Sequence, residues 1–160
     1  MNITGLLKYD FWIRLFVVIL SFLQPFILIW SCGELNSISS YWETPLQPLF
    51  IFTNAVTSYF FFTMNRWRYS SLGLLLVTAF SVSLYPMVHN IIAILFFLSC
   101  LYPLYKTKRF KYYFGLYMIS FLVLIFFGIL WAEIFGIVIL TAFHTQTLFY
   151  RRMLEINRSK

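Results

Sequence analysis

The chain has 160 residues, 61% of them hydrophobic and 11% charged, against about 25% charged in a soluble domain. At this length an aqueous core cannot hide so much apolar surface, which excludes a soluble globular domain and leaves the bilayer as the fitting solvent. The net charge of +7 does not point to nucleic acid, because the basic residues lie in short clusters between apolar segments and not along one open face.

About 20 apolar residues cross the hydrocarbon core, and the first such segment is 11–31, interrupted by Arg14 and by Gln24-Pro25. It lacks a small-x-small cleavage site and reads as a retained span. Cys32 to Gln47 is a polar stretch with Gly33, Pro45, two glutamates and several serines, the longest loop of the chain. Further spans are expected at 48–64, closed by Asn65-Arg66-Trp67-Arg68; at 70–84, ended by Tyr85-Pro86; and at 87–105, closed by Lys106, Lys108, Arg109 and Lys111.

From Tyr112 to Tyr150 there are 39 residues without Lys or Arg. As one straight helix they would reach about 58 Å, nearly twice the hydrocarbon thickness. The expectation is therefore a hairpin of two spans, 112–130 and 132–150, turning near Gly128 to Glu133. The fold class that follows is an all-α, polytopic membrane helix bundle of about six transmembrane helices in a single domain.

Charge placement orients the bundle. With six spans all 12 Lys and Arg fall on one side, while Glu34, Glu43 and Glu133 fall on the other with no basic residue. The positive-inside rule then puts both termini in the cytoplasm. Trp and Tyr mark both boundaries, with Trp30, Trp42 and Trp131 outside, and Trp12, Trp67 and Tyr150 inside. The two cysteines, Cys32 and Cys100, would lie about 20 Å apart in depth, too far for a disulfide.

Candidate functional residues gather on the outer side. His89 and Asn90 fall in the first turn of the fourth span and Glu133 in the first turn of the sixth, below a loop that carries Tyr41 and Glu43. Ionisable groups at membrane depth are costly and face protein or water. A carboxylate beside a histidine can grip a polar headgroup, hold a metal or perform acid–base work. It can also serve structure alone, Glu133 at a helix N-terminus and His89 as a hydrogen-bond partner of the loop.

No Cys/His metal spacing, P-loop, GxGxxG, HExxH or GxSxG pattern occurs, and no charge occupies the middle of a span, which argues against proton relays and pumps. Polar pairs inside the spans (Ser21 and Gln24, Asn54 and Ser58, Thr78 and Ser81, Thr141 and Thr145) read as interhelical hydrogen-bonding groups. His144 falls in the inner part of the sixth span, apart from the His89 group.

The segment Ser37-Ile38-Ser39-Ser40-Tyr41-Trp42-Glu43-Thr44, leading straight into an apolar span, resembles a family of small bacterial multi-pass membrane proteins of unknown function, which carry Ser-Ile-Ser-x-Tyr-Tyr there. Tyr85-Pro86 with Val88-His89, and Leu130-Trp131-Ala132-Glu133 with Ala142-Phe143, are similar to that family's Phe-Pro, Ile-His and Phe-Trp-Leu-Glu positions. Gln47 stands where the family has an Arg. The resemblance implies a shared architecture in the bacterial inner membrane and a shared external cluster; it implies no activity and no cofactor.

The favoured expectation is a non-enzymatic protein that binds a lipid or similar amphiphile in an external-facing pocket lined by His89, Glu133, Tyr41, Glu43 and Asn90. The alternatives are an intramembrane lipid-modifying enzyme using Glu133 and His89, and a structural subunit of an oligomer or membrane complex.

Overall fold

In hydrocarbon every backbone amide and carbonyl must find its partner within the protein, and a helix achieves this within one segment. The computed structural model describes residues 3–158, with side chains from 10 to 157, and it obeys this rule: the chain is 87% helix, with no strand among the described residues. Among the described residues six α-helices run in chain order: α1 Ile3–Cys32, α2 Gln47–Phe62, α3 Arg68–Ala79, α4 Pro86–Lys106, α5 Tyr112–Phe127 and α6 Ile129–Arg158.

Local chemistry sets their ends. Gly33 closes α1 in the left-handed region (φ 77°) and its N–H donates to the Ile29 carbonyl at 2.8 Å, a conformation that glycine adopts without steric cost. A 3₁₀ turn, Ile38–Glu43, follows. Prolines stand in the first turns of α2 and α4, where their missing N–H is not needed. Gly128 (φ 86°, ψ 178°) alone separates α5 from α6. The chain therefore reverses between α5 and α6, but the turn is one residue, and Trp131 and Glu133 lie inside α6.

The helices form a ring. Each packs on its neighbour in the chain and α6 returns against α1, with one thin seam between α4 and α5. Small and hydroxylated residues join the close pairs. Ser58 and Ser71 each donate to the other's carbonyl at 2.8 Å across α2 and α3. Ser21 meets Thr57 at 2.6 Å across α1 and α2, and Ser99 donates to Ser70 at 2.9 Å across α3 and α4. Gly73 lets α3 approach α4 so closely that an added Cβ would lie 3.0 Å from the Phe96 Cα.

Basic residues collect at one end. Arg66 donates to the Lys106 carbonyl, Arg109 stacks 4.0 Å over the Tyr150 ring, Arg14 lies over Phe60, and Arg152 over Phe11. Contacts at the far end join the 3₁₀ turn to α6 and to the α3–α4 loop.

Three helical stretches, Asp10–Cys32, Pro86–Lys106 and Ile129–Asn157, are long and apolar enough to cross a membrane; α5 is apolar but shorter. By length and composition this is a membrane protein. Large apolar side chains such as Trp12, Phe16, Leu98, Ile125 and Phe127 point outward from the ring, as lipid-facing positions do. The expected spans at 48–64 and 70–84 correspond to shorter helices, 16 residues in α2 and 12 in α3. α3 stops early because Phe80 turns extended (ψ 110°) and local hydroxyls take over its backbone, the Ser83 N–H donating to Ser81 Oγ at 3.3 Å.

Candidate functional site

The extended Phe80 leaves its carbonyl outside the α3 ladder, and His89 takes it. Proline at the start of α4 fixes the helix entry, so that His89, one turn in, sits 1% exposed with Nδ1 2.6 Å from the Phe80 oxygen. A carbonyl only accepts, so Nδ1 carries the proton. The other ring nitrogen, Nε2, is buried without a partner.

Glu133 comes from the second turn of α6. The helix begins at Ile129, immediately after Gly128, with the Ala132 N–H donating to the Gly128 carbonyl. The carboxylate Oε2 accepts the Ile38 N–H at 2.6 Å, so this side chain holds the 3₁₀ turn over the end of the ring. Ser37 sits between Ser39 and Ser40, its Oγ 3.0 and 2.9 Å from theirs.

His89, Asn90 and Glu133 line one cavity of about 350 Å³ at the α4–α5 seam, beneath Ser37 and Ser39. Its remaining wall is mostly apolar, with Ala93, Ile94 and Phe97 from α4 and Phe121 and Leu124 from α5. Ile94 is 59% exposed, so the cavity opens sideways through the seam. A second, narrower cavity of about 90 Å³ runs inside the ring toward the basic end. The two share Ser39, Ala93, Phe97 and Glu133 as walls.

Two of the expected site residues lie elsewhere. Tyr41 is fully buried, its hydroxyl donating to the Gly33 carbonyl at 2.5 Å. Burial raises its phenol pKa above the ordinary value, which keeps that donor protonated. Glu43 is exposed and accepts from Ser81 Oγ at 3.4 Å. Neither lines the cavity; both hold the loop in place.

His144, expected apart from the outer group, lines the inner cavity together with Glu133. It is boxed by Phe60, Phe61, Trp67 and Phe143, with ring centroids 4.5 to 5.9 Å away, and its Nε2 has no partner. The signal was present in the spacing: 133, 137, 140, 141 and 144 share one helical face. So do 89, 90, 93, 94 and 97 of α4, which sequence reasoning did not extend beyond Asn90.

Among the described residues no three His, Cys, Asp or Glu side chains converge to hold a metal ion. The arrangement offers two hydrogen-bonding groups at the mouth of an apolar slot. Comparison of the chain with family models, curated proteins and solved structures gives no match.

Proposed function

We propose that this protein binds a lipid or similar single amphiphile in the seam cavity, with the polar end of the ligand at His89, Asn90 and Glu133 and its chain along Phe97, Phe121 and Leu124. The observation that carries this reading is the amphipathic lining of a cavity that opens laterally between α4 and α5. A ligand from the bilayer would enter there without leaving hydrocarbon, and such concave sites with few polar groups are the usual form of small-molecule pockets. His89 Nδ1 and Glu133 Oε2 are each tied to a backbone group, which holds the polar end of the cavity in a fixed shape.

In this reading all six helices cross a bacterial inner membrane with both termini in the cytoplasm. Support comes from the gathering of basic side chains at one end and from the resemblance to small bacterial multi-pass proteins. At 1.5 Å per residue α3 reaches about 18 Å, short of the roughly 30 Å hydrocarbon core. Its non-helical continuation is tolerated at depth because protein side chains satisfy it, here His89 on the Phe80 carbonyl and Ser81 on the Ser83 amide.

The test is lipid retention. The full chain is extracted in native lipid particles and its bound lipids are weighed by mass spectrometry against the surrounding bilayer. A species enriched in the wild type and lost in Ala93→Phe, which fills the wall shared by both cavities, supports the proposal. Lipid content equal to the bulk bilayer in both proteins refutes it. Labelling of single cysteines at positions 36 and 108 with an impermeant maleimide checks the orientation: modification from outside at 108 would overturn it.

A further inference from the structure

Resting on the amphiphile reading above, the geometry points to the class of its head: we propose that the ligand presents a hydrogen-bond donor, an amine or an alcohol, to His89 Nε2 and the Glu133 carboxylate, and that an anionic phosphate is not what this mouth recognises.

The tautomer of His89 is fixed by its neighbour. With Nδ1 donating to the Phe80 carbonyl at 2.6 Å, Nε2 of the neutral ring has only a lone pair to offer. The ring is 1% exposed, and no carboxylate pairs with it among the described residues. The lone pair is also unused, because Nε2 is buried without a partner in a wall of the cavity. Buried acceptors are rarely left empty.

The second fixed group has the same polarity. Glu133 serves as an acceptor too, its Oε2 taking the Ile38 N–H. Among the described residues no Lys or Arg lines either cavity, and the basic clusters lie at the opposite end of the bundle. A phosphate placed at this mouth would face an acceptor oxygen and a lone pair with no cation to offset its charge. An ammonium carries donors enough for both acceptors, and a hydroxyl carries one proton and serves one of them. Asn90 offers a donor and an acceptor and so sits beside either head.

The experiment uses the full chain in detergent micelles and four probes with one common tail: hexadecanol, hexadecylamine, hexadecyl methyl ether and hexadecyl phosphate, each titrated and followed by native mass spectrometry. The alcohol or the amine is expected to bind about tenfold more tightly than the ether, the size of one net hydrogen bond, and the phosphate no more tightly than the ether. His89→Phe should bring the preferred probe down to the level of the ether. Glu133→Gln separates the two heads, since an ammonium loses its counter-charge and a hydroxyl only exchanges one acceptor for another. Phosphate as the tightest probe, or ether equal to both donors in the wild type, overturns the head assignment and leaves the amphiphile reading standing. If no probe binds the wild type more than it binds Ala93→Phe, both fall. The wild-type ranking decides the matter even where a variant fails to fold.

Discussion

Gly73 sits where α3 and α4 are closest, and replacing it with alanine tests whether that contact sets the ring. The new Cβ would lie 3.0 Å from both Cα and Cβ of Phe96, inside the roughly 3.5–4.0 Å of an ordinary carbon contact. The obstructing atom is helix backbone, so α4 itself must move. Such overpacking costs about 1–3 kcal/mol, and the better helix propensity of alanine returns about 1 kcal/mol. The Ser99–Ser70 hydrogen bond across the same interface is strained by the shift, which places the net loss at about 1–2 kcal/mol. In a chain of this length that lowers the melting temperature by about 2–8 °C, read by circular dichroism in detergent micelles. Gly115→Ala is the matched control, since nothing lies within 4 Å of its added Cβ. If both variants melt at or above the wild type, α3 and α4 are not in contact as described and the position of His89 loses its support.

Gly128→Ala places a side chain at φ 86° and ψ 178°, a region open essentially to glycine; a loss of about 1–3 kcal/mol is expected in unfolding by sodium dodecyl sulfate, and none would mean that the α5–α6 turn lies elsewhere. A double-mutant cycle on Ser58→Ala and Ser71→Ala should return a coupling of about 0.6–2 kcal/mol, because each hydroxyl donates to the other's carbonyl. Additive losses in that cycle would show that the two serines do not act as one clasp.

Much of the architecture was legible because its determinants are local. Arg66, Lys106 and Arg151 punctuate the apolar runs, Pro86 starts α4 where Tyr85-Pro86 was read as a break, and Gly128 falls within the expected turn. The early end of α3 was not legible, since it depends on His89 reaching back nine residues to a carbonyl. The cavity was half legible. His89, Asn90 and Glu133 announce themselves as polar residues in apolar helices, and the structure brings them together. Phe97, Phe121 and Leu124 do not, because in lipid a core-facing and a lipid-facing residue have the same chemistry and α5 is apolar nearly all round. Tyr41 and Glu43 looked like ligand contacts on composition alone, and their hydrogen bonds to Gly33 and Ser81 explain them as parts of the loop.

The place of the opening follows from connectivity. In an up-and-down ring of six, the far-end loops tie α1 to α2, α3 to α4 and α5 to α6, so only α2–α3 and α4–α5 are joined solely at the basic end. The first of these pairs is closed by the Ser58–Ser71 clasp. The second has Tyr117 donating to the Phe97 carbonyl at 3.3 Å, and beyond Phe97 toward the far end no hydrogen bond joins α4 to α5 among the described residues. Gly136 on α6 lets both rings close beneath that level, an added Cβ there standing 3.4 Å from Phe97 and 3.5 Å from Tyr117. The seam is thus shut at mid-depth and parted above it. The parted half is where α4 carries His89 and α6 carries Glu133. A bundle evolved for packing alone would be expected to close its weakest pair there, as it closes α2–α3. An open seam beside an unpaired acceptor is what the proposed amphiphile site would account for.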